Sequence, residues 1–430
     1  MLSNKFNNII LNNFDRKLLY LSKKCVWSLP KCAQLDTDYL CNPNNVHQIE
    51  ENITNRKGVG NIKLVHDLKN KLQNIHPSDK LYESIRSELY SEMLKIPNKT
   101  HPAVAGYGNN PKIVKEIGQK KHHDVPPKEF QEIAKRLKLL RTDQLGNLSG
   151  NKSYYLLGEM AELEHALIRY VVSSLIKHKF DLISVPDILH RDIIEGCGMN
   201  TQGSRTQVYT LDPQSHGPDL CLSGTSEMAL AGFLANKTLT SQELPLKLAA
   251  VSRCYRAETS NLLEERGIYR VHEFSKVEMF VASLPEESEQ ILEEIRQIQE
   301  DCFQSLGLHF QVLDMPPHEL GAQAYRKYDI EAWLTGRQIY GEISSCSNCL
   351  DYQSRRLNIK FETKDGCGFV HTLNGTACAI PRLLIALMEE GQNRNGTITL
   401  PEVLHPFMGG KGVIAKQKSI PELKLVKNKK

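Results

Sequence analysis

The sequence predicts an α+β fold, an antiparallel sheet with flanking helices, preceded by a helical-hairpin domain. Two observations carry this. Strand-like runs cluster after residue 180 with helices interspersed, where a wound parallel sheet would alternate the two regularly. Before residue 100, apolar residues instead recur every three or four positions, the spacing of helical stripes.

The elements follow in order. Residues 36–56 predict a helix with Pro43 near its start and Val46, Ile49 and Ile53 on one face. Val65, Leu68, Leu72 and Ile75 make one stripe, and Leu81, Ile85, Leu89, Met93 and Ile96 a second. "HPSDK" turns the chain between them, with Ser78 as the expected N-cap, and Pro97-Asn98 ends the second stripe. Two such stripes joined by a short turn form an antiparallel hairpin, and helices of roughly 17 residues reach only ~25 Å. From Lys152 the texture changes. "GEMAELEHALIRYVVSSLIKHKF" is a long amphipathic helix, followed by the β-branched run "DLISVPDIL". Further predicted strands are "QVYTL", "LKLAAVSRCYRAE", "GIYRVHEFSKVEMFVA", "FQVLDM", "RQIYGEISSCSN" and "RLNIKFE". Helices are predicted at Glu286–Leu306 and Ile380–Glu390.

Composition narrows the function. A chain of 430 residues with 40% hydrophobic and 24% charged residues is ordinary for a globular protein with two or three domains. No run approaches the roughly 18 to 20 apolar residues of a membrane span, so no membrane partner is expected. The eleven cysteines are scattered and read as reduced thiols. The net charge of +4 hides an asymmetry: residues 1–150 carry +9, 151–410 carry −11 and 411–430 carry +6. Basic ends around an acidic middle point to a polyanion gripped by the appendages. The first 35 residues hold six Lys/Arg and one acid among apolar clusters, the pattern of a mitochondrial transit segment. There is no GxxxxGK[ST] loop and no GxGxxG after a strand, which excludes the P-loop and dinucleotide modes of nucleotide binding.

The chemistry concentrates in "RCYRAETSNLLEERGIYRVHEFSKVEMF", 253–280. Two alternating runs flank a long polar tip, a hairpin pattern that would carry Arg256, Glu258, Arg270, His272, Glu273, Lys276 and Glu278 on paired strands. So many charges on one piece of sheet call for an anionic, hydrogen-bonding ligand.

"YRAE", a variable loop, then "RVHEFSKVE" resembles the motif 2 hairpin of class II aminoacyl-tRNA synthetases. Residues 150–410 resemble a seryl-tRNA synthetase, most closely the animal mitochondrial type. "LSGTSEMALAG" is similar to that family's Thr-x-Glu serine loop, and "YDIEAWLTGRQIYGEISSCSNCLDYQSRR" to its sheet signature. "HTLNGTACAIPRLLIALMEEGQNRNGTITLPEVLHPFM" resembles motif 3 and the closing segment; the long helix and the strand reaching Pro186 resemble the dimer-forming motif 1.

The resemblance implies ATP and L-serine as substrates, tRNA-Ser as partner and a homodimer, a paralogous partner chain being the other option. It also implies a location in the mitochondrial matrix. Arg256, Glu342 and Arg382 are the implied catalytic residues. Implied ATP contacts are Arg256, Ala257, Glu258, Val271, Phe274, Glu342, Ile343, Ser344, Ser345 and Arg382. Phe274 would lie against the adenine, Glu258 would meet its amino group or fix the loop, and Arg382 would hold the γ-phosphate end. Glu342 and Ser345 match the family's Mg²⁺ positions, and hard oxygen ligands suit that ion. Implied serine contacts are Thr225, Ser226, Glu227, Arg256, Glu278, Asn374 and Thr376. A permanently charged arginine beside the α-phosphate suits the charge that develops there, and a site built to pair a hydroxyl rejects alanine.

Departures from the family are Glu273 where Gln is frequent, Pro381 where bacterial members have glycine, and a short arm between Arg56 and Pro97. The short arm puts the family's usual grip on a long variable loop in doubt; basic residues such as Lys112, Lys115, Lys120, Lys121, Lys135 and Arg136 are the expected substitutes. "CSNC" (Cys346, Cys349) is a lone CxxC, read as buried thiols with no zinc expected. The expected domains are a transit segment 1–35, a tRNA-binding helical domain 36–149, a catalytic domain 150–410 and a basic tail 411–430. The competing reading is an inactive, synthetase-like RNA-binding or partner subunit; Arg256, Glu258, Glu227, Glu278, Glu342 and Arg382 are all present, which favours the ligase.

Overall fold

The computed structural model describes residues 33–417 except 124, 143–148, 204–205, 261, 263–264 and 365. The expected transit segment falls outside these residues up to position 32, and the basic tail does so from 418.

Apolar stripes build the N-terminal part as read, with three corrections. Pro43 splits the first predicted helix, leaving Thr37–Leu40, a 3-10 turn at Pro43–Asn45 and a helix Val46–Asn55. Proline lacks the N–H that a continuous helix needs at that point. The hairpin itself is Ile62–Gln73 and Tyr82–Leu94, shorter than expected. Ile75 and Leu81 lie outside it, and Leu81 is exposed. Asp79, not Ser78, supports the start of the second helix, accepting from the Leu81 N–H at 2.9 Å. Ile49, Ile53, Ile62, Val65, Leu68, Leu89, Met93 and Ile96 form a core of their own.

The rest is organised by an eight-stranded sheet. Its strands in chain order are β1 (Lys112–Ile117), β2 (Asp181–Ile183), β3 (Leu246–Tyr255), β4 (Glu273–Ser283), β5 (Phe310–Asp314), β6 (Arg326–Leu334), β7 (Ile339–Asn348) and β8 (His371–Ala379). They lie in the order β1-β5-β6-β7-β8-β4-β3-β2, and all pairs are antiparallel except β2 with β3. The sheet begins with β1, well before residue 150, and Phe130, Ile133 and Ala134 of helix Phe130–Arg136 join the main core.

Cross-strand partners point to the same face. One face carries Val277, Met279, Val281, Leu373, Cys346, Ile330 and Ala332, all buried in the main core with residues from helices Glu159–Lys177, Ser288–Ser305 and Ile380–Glu390. The opposite face of the central strands carries polar side chains and opens into a cleft. "DLISVPDIL" yields two short strands, Asp181–Ile183 and Ile188–His190, interrupted around Pro186. "QVYTL" forms only an isolated bridge at Thr210, and "RLNIKFE" contributes a strand only from Lys360.

Candidate active site

β3 and β4 pair from Leu246↔Ala282 to Tyr255↔Glu273, and there the ladder stops. Arg256, Glu258, Arg270 and His272 therefore sit in the connecting loop and not on paired strands, a correction to the hairpin reading. The loop is anchored at its base. The Arg256 N–H donates to the His272 carbonyl at 2.8 Å, and His272 Nδ1 lies 3.0 Å from the Arg256 carbonyl and 2.7 Å from the Tyr209 hydroxyl. Backbone pinning on both sides aims the Arg256 side chain, whose guanidinium lies 5.4 Å from the Phe274 ring centroid. Arg256 makes no ion pair among the described residues, and its Nε is buried without an acceptor. A half-buried guanidinium with no carboxylate partner beside a cleft is a seat for a carboxylate or phosphate.

The cleft measures about 920 Å³, at the upper end for a ligand site and large enough for two small substrates. Register explains its lining. Lys276 and Glu278 alternate along β4; Glu278 stands opposite Thr376, and Ser347 opposite Asn374. Glu342 and Ser345 are three residues apart, which on a regular strand would place them on opposite faces. Glu331 pairs with Glu342 and Asp329 with Ser345, with Ile343 as the extra residue of a bulge. The bulge brings both oxygen-bearing side chains to the cleft and sends Ile343 into the core.

At one end of the cleft Arg382 Nη1 donates to Glu342 Oε2 at 2.9 Å and to the Glu342 carbonyl at 3.0 Å, its guanidinium 4.6 Å from the Tyr269 ring centroid. Burial opposes ionisation of Glu342, but Arg382, then Lys327, outweigh it and hold the carboxyl down to about 2. The side chain is 38% exposed, so it presents an oxygen that is ionised at neutral pH to the cleft. Hard, ionised oxygen beside a hydroxyl is a fitting donor set for Mg²⁺. Among the described residues no group of three or more His, Cys, Asp or Glu side chains could hold a metal by itself. An ion here would need further oxygens from a ligand.

At the other end Thr225 caps helix Ser226–Leu234. Lys276 Nζ reaches Glu278 Oε2 at 2.5 Å, Thr225 Oγ1 at 2.8 Å and Thr376 Oγ1 at 3.4 Å, and Thr376 donates to Glu278 at 3.1 Å. Glu227 accepts from Gln353 at 2.6 Å and from Asn374 at 3.1 Å. Burial, reinforced by Glu278, pushes the Glu227 carboxyl up to about 7. Two buried carboxylates and two threonine hydroxyls in a small recess suit a ligand carrying an ammonium and a hydroxyl.

Of the residues implied by the resemblance, Thr225, Glu227, Arg256, Glu258, Val271, Phe274, Glu278, Glu342, Ile343, Ser344, Ser345, Asn374, Thr376 and Arg382 all line this cleft. Ala257 and Ser226 do not. Ala257 donates its N–H to the Gln207 carbonyl at 2.8 Å, and Ser226 is buried. The Ser344 hydroxyl donates to the Thr376 carbonyl at 2.5 Å, so its side chain supports the sheet. Glu258 is held by Arg270 at 2.9 Å and Gln207 at 3.3 Å. Lys327 and Gln353 carry no role in the sequence reading, and Lys276 enters it only as one of the hairpin charges, without a ligand assigned. For Lys276 the signal was its alternation with Glu278; Gln353 sits on a short helix, Tyr352–Leu357, where no periodicity points to the cleft. Cys346 faces the core, Cys349 Sγ accepts from Asn374 at 3.6 Å, and burial raises both thiols.

Comparison with known proteins bears on this cleft. Residues 209–391 match the class II core domain of the G, H, P, S and T tRNA synthetases. The chain is 36% identical over 412 residues to the serine–tRNA ligase of Dictyoglomus turgidum, covering 94% of both. This chain belongs to the seryl-tRNA synthetase family. It is also 43% identical over 347 residues to the mitochondrial serine–tRNA ligase of Mus musculus, the match covering 80% of this chain and 66% of that protein. Among solved structures, the seryl-tRNA synthetase of Pyrococcus horikoshii complexed with ATP superposes with a TM-score of 0.79 at 27% identity, over 89% of this chain and 100% of that one. The class II synthetase architecture read from motifs 2 and 3 is thus the architecture of this chain, an open antiparallel sheet with helices over one face.

Proposed function

We propose that this chain is a mitochondrial serine–tRNA ligase. It activates L-serine with ATP and passes the seryl group to the 3′ end of tRNA-Ser in the matrix, working as a homodimer. The observation that carries the reading is the unpaired Arg256 between the Glu342–Arg382 end and the Glu227–Glu278 recess. Family relatives named as mitochondrial serine–tRNA ligases support both the reaction and the location.

In this reading the adenine lies against Phe274 beside Val271, with Glu258 close to its amino group. Arg382 takes the γ-phosphate end. Glu342 and Ser345 would hold Mg²⁺, which when bound neutralises triphosphate charge. Glu227 and Glu278 take the serine ammonium and hydroxyl, with Thr225, Asn374 and Thr376 completing the hydrogen bonds. Arg256 aligns the serine carboxylate with the α-phosphate. A carboxylate oxygen attacks the α-phosphorus and pyrophosphate leaves; the ribose hydroxyl of the terminal adenosine then attacks the seryl carbonyl and AMP leaves. No side-chain nucleophile is needed, so positioning and charge stabilisation supply the rate.

Serine-dependent ATP–pyrophosphate exchange on the purified chain tests this. Arg256→Ala is expected to lower exchange on the order of a hundredfold or more while the fold is retained. Near-normal exchange by the folded variant defeats the assignment of Arg256. No exchange by the wild type with serine and Mg²⁺ favours the partner-subunit reading instead.

A further inference from the structure

The cleft is not walled by the sheet alone. Arg56, Lys57, Val59, Lys95 and Pro97, all from the N-terminal helical part, line it together with the segment Glu319–Ala324. That segment carries no regular structure beyond one 3-10 turn, Pro317–Glu319, and apart from the Ala324 N–H, which donates to the Gly321 carbonyl at 3.1 Å, its carbonyls take donors from elsewhere. They find them in the N-terminal part. Arg56 Nη2 donates to the Gly321 carbonyl and, at 3.0 Å, to that of Ala324. The Asn98 N–H donates to Ala322 at 2.8 Å, its side-chain amide to Gln323 at 2.8 Å, and the His101 N–H to Tyr325 at 3.0 Å. Five consecutive carbonyls, Gly321 to Tyr325, are thus held from Arg56, Asn98 and His101. Arg56 Nη1 also donates to the Asn98 carbonyl at 2.6 Å, locking the two holders together.

Arg56 is an expensive choice for a structural tie. It is 5% exposed and makes no ion pair with a carboxylate among the described residues, so its charge is satisfied by carbonyl dipoles alone. Asn98 leads further into the site. Its amide also donates to the Cys349 carbonyl at 2.8 Å; Cys349 Sγ accepts from Asn374, and Asn374 donates to Glu227. The root of the helical hairpin is therefore connected to the carboxylate of the serine recess through three successive contacts.

We propose that Arg56 and Asn98 are positioning residues for serine activation: they set the cleft wall 321–325 and, through Cys349 and Asn374, the orientation of Glu227. The hairpin domain then governs the first half-reaction as well as any contact with tRNA. The proposal rests on the serine-activating reading above. Atomic misplacement of about 1 Å in such a site costs on the order of a hundredfold in rate.

The test compares Arg56→Ala, Asn98→Ala and Leu72→Ala, the last placed near the hairpin tip away from the wall. In pyrophosphate exchange, Arg56→Ala and Asn98→Ala are expected to lose roughly tenfold to a hundredfold in kcat/KM for serine, whereas Leu72→Ala lowers the melting temperature and leaves that ratio within about twofold. Millimolar guanidinium should restore part of the Arg56→Ala activity and none of the Asn98→Ala activity. Calorimetric binding of a non-hydrolysable seryl-adenylate analogue gives the same comparison without turnover, so an inactive wild type would sink the ligase reading and leave this one measurable. Arg56→Ala that exchanges or binds like the wild type overturns the proposal, as does an equal loss in Leu72→Ala.

Discussion

Glu227 and Glu342 share one cleft and are pushed in opposite directions. The difference is what stands beside each. Arg382 and Lys327 overcome burial at Glu342, while at Glu227 burial and Glu278 prevail over Gln353, Lys276 and Arg256. Glu227 has a folded pKa near 7, above the ordinary 4.5, so the stability its protonated form contributes is complete below about 4.5 and lost as pH rises through 7. The whole effect is on the order of 3 kcal/mol. Glu342 has the reverse sign, contributing above about 4.5 and losing it only as pH falls toward 2. Chemical denaturation should therefore show Glu227→Gln gaining on the wild type as pH rises from about 4.5 to about 7. Serine affinity should rise as pH passes 7, because the ammonium needs the ionised carboxylate; an affinity flat across this range contradicts the role given to Glu227.

At the scale of elements, the sequence was legible where one physical rule decided the outcome. Ile380–Glu390 and the closely placed Ser288–Ser305 follow from apolar stripes and β3, β4, β5 and β7 from alternation, while β6 and β8 fall outside the predicted strand runs. The site was legible wherever a charged residue alternated along a central strand, as Glu278 does. It was not legible where tertiary register decided. No local signal reveals the bulge at Ile343, and the carbonyls of 321–325 are met by residues more than 200 positions away. β1 was missed for the same reason. Five of its six residues are exposed, so its pattern resembles loop, and only pairing with β5 makes it a strand.

That omission changes the reading of its lysines as a phosphate grip. Lys115 pairs with Glu300 at 2.8 Å, Lys120 lies 3.6 Å from the Trp333 ring centroid, and Lys121 donates to the Glu390 carbonyl at 3.1 Å. Arg136 is likewise bonded to the Gly396 carbonyl at 2.8 Å. The lysines fasten β1 and the segment after it to helix Ser288–Ser305, to β6 and to the end of helix Ile380–Glu390, and Arg136 ties helix Phe130–Arg136 to the loop at Gly396. Replacing Lys115, Lys120 and Lys121 together by alanine should cost roughly 1 to 2 kcal/mol in stability, since each contact is partly exposed. The slope of tRNA affinity against salt should stay nearly unchanged, where three lost phosphate contacts would flatten it by about two to three units. A slope flattened that much by filter binding would return these lysines to the RNA surface.

For the whole molecule the open question is the free end of the sheet. β2 is the last strand on its side, and its outer edge is unpaired among the described residues. Edge strands left bare invite pairing with another chain. Ile176, on the helix packed beside β2, and Leu182, on β2 itself, are each about half exposed, and so is Ile188 on the short strand that follows. β1, at the other end, exposes Ile113 and Val114 but interleaves them with Lys112, Lys115 and Glu116, charges that blunt an edge. The β2 end is therefore the expected interface, and a two-fold arrangement would let the same patch serve both subunits. Sedimentation at micromolar concentration should show a dimer. Leu182→Glu combined with Ile188→Glu should shift it toward monomer by burying charge at the contact, and exchange activity should fall with it. A wild-type chain that sediments as a fully active monomer would remove the interface, and the exposed residues would then be ordinary surface apolar groups.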